Sequence, residues 1–204
     1  MIFNFFKNKD KEYAEQTYSM FAPPIKFAKE YGDWKKGSKT FGELFINDKY
    51  LLGFFNIFIS FTGKKVFNIT SPKQSGLLMM ECYKKMDATF VLDEKVQVMT
   101  DIYQSLIGAS NKDFEQAIND AALVFHVLFF PDSQDTYSDN IIFKEAKKFI
   151  NSKEHQSEKN LKQKLLEGFP KSYHGKQPEN ALIAYRIFQN TFLKRLNKTF
   201  NVND

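Results

Sequence analysis

Three histidines, one cysteine and one acid-rich loop are the places where this chain could do chemistry beyond packing. His126 lies within Ala121-Ala122-Leu123-Val124-Phe125-His126-Val127-Leu128-Phe129-Phe130. No carboxylate or second histidine stands at ligand spacing, so a core or half-buried His126 is expected rather than a metal ligand. His155 belongs to Glu154-His155-Gln156-Ser157-Glu158, which reads as a solvated linker. It lacks the H-E-x-x-H spacing that sets two zinc ligands on one helical face. His174 follows Ser172-Tyr173 and precedes Gly175-Lys176, in a loop after Pro170. Loops held by rigid scaffolds carry much of protein function, so Tyr173 and His174 stand as candidate partner-binding residues.

Cys82 could serve as a nucleophile only if a neighbour lowered its pKa. Its neighbours Met79, Met80 and Tyr83 point to packing instead. Between Pro131 and Asn140, Asp132, Asp135 and Asp139 offer oxygen ligands. A calcium loop needs glycine at its sharp turn and a bidentate acid at its end. Counted from Asp132, those positions hold Tyr137 and Phe143. The stretch is therefore expected to be a polar loop in which Ser138 or Asp139 caps the next helix. No nucleophile elbow, phosphate-binding glycine loop or dinucleotide fingerprint is present, and Gly175-Lys176 lacks the flanking residues of a P-loop. Neither metal nor cofactor is expected.

Charge narrows the partners. The net charge is +5, yet Arg186 and Arg195 are the only arginines. Lysine is a hydrated point charge, whereas bidentate reading of guanine or phosphate favours arginine. The lysine pairs are scattered, so nucleic acid is disfavoured. Trp34, the only tryptophan, sits between Asp33 and Lys35-Lys36. Trp34, Lys35 and Lys36 could form a partner anchor, although Trp34 folded back as a lid on the core is the preferred reading. A third surface is the start of the chain. Phe3, Phe5 and Phe6 with Lys7 and Lys9 suit an interfacial segment on an anionic membrane. Residues 1–11 are accordingly read as flexible or interfacial, and 201–204 as a flexible tail. The lone cysteine excludes an internal disulfide and fits a reducing, cytoplasmic setting.

The elements that must position these residues are mostly helical. Tyr185, Phe188, Phe192, Leu196 and Phe200 recur at three- and four-residue steps after Pro178. Phe114, Ile118, Ala121, Phe125 and Leu128 do the same after Asn111, a fitting N-cap. The second half of that helix is apolar nearly all round, which predicts a central position. Shorter stripes run through Met79, Tyr83 and Met86 after Ser71-Pro72, and through Leu92, Val96, Met99, Tyr103 and Leu106. Others run through Ile142, Ala146 and Phe149, and through Leu161, Leu165 and Phe169. Thr40-Phe41-Gly42-Glu43 has capping-box spacing.

Phe55–Phe61 is ambiguous, because its residues also alternate like a strand. A β-hairpin over residues 55–70, turning at Thr62-Gly63-Lys64-Lys65, is the alternative to the preferred helix over Tyr50–Phe61. With the helix, an apolar helix, a loop and a lysine-rich helix occur twice: Leu51–Met86 and Ala117–Ser152. That layout loosely resembles the tellurite-resistance TerB-like domains, where an acidic loop separates two such helices. Here the first loop is basic, no specific motif is shared, and the resemblance is not adopted.

The expectation is thus one mainly α domain over residues 1–204, a compact bundle of about seven or eight helices. Functionally, a non-enzymatic protein-binding module is expected: an adaptor, an immunity-type inhibitor or an accessory factor. An enzyme whose site is assembled across helices and a peripheral membrane protein are the alternatives.

Overall fold

The computed structural model describes residues 2–88, 111–130, 136–152 and 178–202. These are 83% helical and contain no strand, so the chain is a mainly α multi-helix bundle. The elements are α1 (Ile2–Tyr18), α2 (Ala22–Tyr31), a 3-10 turn (Asp33–Lys36), α3 (Phe41–Asn47) and α4 (Lys49–Phe61). Then come α5 (Pro72–Met86), α6 (Lys112–Phe129), α7 (Ile141–Ile150), α8 (Pro178–Phe188) and α9 (Lys194–Phe200). A π turn, Gln189–Leu193, joins α8 to α9 with helical backbone at both junctions.

Local chemistry starts these helices where the sequence suggests. Thr40 and Glu43 form a complete capping box: Glu43 N–H donates to Thr40 Oγ1 at 3.2 Å and Thr40 N–H to Glu43 Oε2 at 2.7 Å. Asn111 caps α6 by accepting from Phe114 N–H at 3.1 Å. At α7 the cap is Asn140, accepting from Phe143 N–H at 3.1 Å, and not Ser138 or Asp139. Ser71 makes no side-chain cap bond. There Pro72 alone opens α5, its missing N–H being one the first turn would leave unpaired anyway.

The core is built around α4, where Tyr50 to Asn56, Phe58 and Ile59 are all buried. It packs against α6, whose Ala117, Ala121, Val124 and Phe125 are fully buried. Phe21, just ahead of α2, sits edge-on to Phe55, Phe58, Phe188 and Phe192 at centroid distances of 4.8–5.6 Å. Edge-to-face pairs of this kind add to plain burial. Gly53 lets α4 and α6 approach closely: a Cβ there would stand 2.7 Å from the Phe114 ring.

The hairpin alternative is not what forms. Residues 49–61 are α-helical and Thr62–Val66 is a π turn, with Asn68 in the left-handed region at φ 55°. In the helix Asn56 Oδ1 accepts from the buried Tyr83 hydroxyl at 2.8 Å, a bond that satisfies both groups inside the core. At the other end Val202 is not a free tail: it is 8% exposed and its N–H donates to Asn197 O at 2.9 Å. At the start, residues from Ile2 onward are helical.

No single helix among the described residues is long and apolar enough to cross a membrane. The helices predicted over Leu92–Leu106 and Leu161–Phe169 lie outside the described residues.

Candidate functional site

His126 is half-buried near the C-terminal end of α6, within 5.6–6.5 Å of the rings of Phe61, Phe125, Phe130 and Tyr137. Burial, helped by the charge of Lys65, lowers its pKa below the ordinary histidine value. Among the described residues no carboxylate is hydrogen-bonded to it, so the orienting partner of a general base is missing. Cys82 is fully buried and its thiol is pushed well up by burial; a thiol held in that state is inert. Among the described residues no group of three or more histidine, cysteine and acidic side chains could hold a metal ion. His155, Tyr173, His174 and residues 131–135 of the acid-rich loop lie outside the described residues, as do the side chains of Phe3, Phe5, Phe6 and Lys7.

Sequence reasoning missed a polar network on one flank of α4. Asp48 caps α4, its Oδ1 accepting from Tyr50 N–H at 3.0 Å and Leu51 N–H at 3.1 Å. Its Oδ2 accepts from Arg195 Nε at 2.7 Å and Thr199 Oγ1 at 2.6 Å. Arg195 also reaches Asp113 at 2.9 Å. These bonds raise the arginine's pKa, the Asp48 hydrogen bond most of all. Two residues further on, the Tyr50 hydroxyl donates to Asp120 Oδ2 at 2.7 Å, while Gln116 Nε2 donates to Asp120 Oδ1 at 2.8 Å. Burial raises the Asp120 carboxyl above its usual range, partly offset by those two hydrogen bonds. Tyr50 is 6% and Asp120 5% exposed, so a substrate has no access to the pair. The network joins α4, α6 and α9, and its chemistry is that of a clamp.

The predicted anchor region is surface. Trp34 is half-buried, its Nε1 donating to Ala28 O at 3.1 Å and its ring edge-on to Phe41 at 5.6 Å. That is the lid geometry preferred from sequence. Lys35 and Lys36 are exposed; Lys36 pairs with Asp33 at 2.9 Å and the Lys35 ammonium lies 5.9 Å from the Trp34 ring. Immediately before them, Phe27 and Tyr31 stand one turn apart on α2, with ring centroids 4.7 Å apart and exposures of 48% and 65%. Sequence reasoning did not single out this pair. The available signal was the i, i+4 aromatic pair beside Lys26 and Glu30, an aromatic pair on a charged helix face. Gly32 closes the turn against α9, since a Cβ there would meet Phe200 O at 2.7 Å and Ala28 O at 2.6 Å.

A second surface feature is an open trough of about 670 Å³ along α8, the π turn and α9. It is lined by Arg186, Gln189, Asn190, Leu193, Lys194, Asn197, Lys198, Asn201 and Val202. Comparison of the chain with protein-family models, with curated proteins and with solved structures finds no match.

Proposed function

We propose that the chain is a non-enzymatic protein-binding module, of the adaptor, immunity-type inhibitor or accessory-factor kind, and that the exposed face of α2 and the 3-10 turn receives the partner. The observation carrying this reading is the Phe27–Tyr31 pair, two large aromatics at 48% and 65% exposure on one helix face. Aromatic side chains are enriched where binding energy concentrates, typically ringed by polar residues. Here Lys26 and Glu30, an exposed pair at 3.9 Å, flank the two aromatics on the same helix, and the 3-10 turn that follows is tied back to that helix by the Trp34 Nε1–Ala28 O bond. The described titratable groups support a binder over an enzyme: His126 has aromatic neighbours, Cys82 is sealed, and Asp120 is spent on Tyr50 and Gln116.

The test is quantitative affinity capture from the native host with wild-type chain and a Phe27→Ala/Tyr31→Ala double variant. Both side chains are exposed, so the variant retains its fold, which circular dichroism checks. A protein enriched by wild type and reduced at least ten-fold by the variant supports the reading. Equal recovery by both chains overturns it.

A further inference from the structure

We draw no further inference here: the strongest candidate, the aromatic side-chain cluster of Phe61, Phe130 and Tyr137 around the half-buried His126 at the C-terminal end of α6, carries nothing, because only the lowered pKa of that histidine sets it apart from ordinary packing.

Discussion

Two glycine-to-alanine changes, both inside helices, should move stability in opposite directions. Gly76 lies exposed in α5, and a Cβ there would meet nothing within 4 Å. Gly53 lies in α4, and its Cβ would stand 2.7 and 2.9 Å from Phe114 ring carbons and 3.1 Å from Ala117 Cβ. Alanine's helix preference over glycine is worth about 1 kcal/mol at either position, and that contribution cancels when the two variants are compared. What remains is the overpacking at Gly53, about 1–3 kcal/mol for a methyl forced into a filled core. Relief is restricted, because Phe114 is 3% exposed and its backbone N–H is held by the Asn111 cap. Gly76→Ala should therefore stabilise by about 0.5–1 kcal/mol, and Gly53→Ala should lie about 1–3 kcal/mol below it. Urea unfolding followed by circular dichroism measures the difference. Thermal melts should agree, at about 2–4 °C per kcal/mol for a chain of this size. A Gly53→Ala protein as stable as Gly76→Ala would refute the close α4–α6 contact.

Asp48→Ala removes both the α4 cap and a charged partner of Arg195, and should cost about 2–3 kcal/mol in urea unfolding; Asp48→Asn keeps the capping oxygen and should cost less. Equal losses would show that capping is not a separate contribution. Burial holds the Asp120 carboxyl above its ordinary range, so the folded state keeps this proton more tightly than the unfolded chain does. That contribution is fully present below the ordinary carboxylate pKa of about 4 and fades as pH rises through the raised folded value. The stability–pH curve of wild type should thus fall relative to Asp120→Asn over that window, and parallel curves would contradict it. Cys82 is fully buried, so an aromatic disulfide reagent should label it only in denaturant; prompt labelling of the native chain would contradict its burial.

Helices with one polar face were legible in the sequence, because their periodicity survives folding. In α6 the predicted stripe Phe114, Ala121, Phe125 and Leu128 is buried, with Ile118 half-buried beside it. In α7 the stripe is rotated by one position: Phe143, Ala146 and Ile150 are buried, while Ile142 and Phe149 are half-buried. Two overlapping stripes of apolar residues on a ten-residue helix cannot be told apart by spacing, and only the neighbouring α8 decides between them. α4 was ambiguous for a different reason. A helix buried on nearly all sides has no polar face to mark a 3.6-residue period, so its alternating Phe and Ile residues also fit a strand. The deciding bond, Tyr83 to Asn56, spans 27 positions and leaves no local trace.

The same distinction explains which surfaces could be anticipated. Trp34-Lys35-Lys36 stood out because a lone tryptophan among charges is a compositional oddity, and its lid geometry follows from one bond to Ala28. The Asp48–Arg195–Thr199 clamp gave no such sign, since its partners lie 147 and 151 positions apart. One clue was present nonetheless: the chain has only two arginines. In a lysine-rich surface an arginine is retained where geometry requires a planar fork. Both obey this: Arg195 bridges Asp48 and Asp113, and Arg186 lies 3.8 Å over the Phe149 ring while bonding Gln189. The trough could be read even less well, because three cations eight and four residues apart do not share a face in a regular helix. The π turn realigns them, and nothing in Gln189–Leu193 announces it.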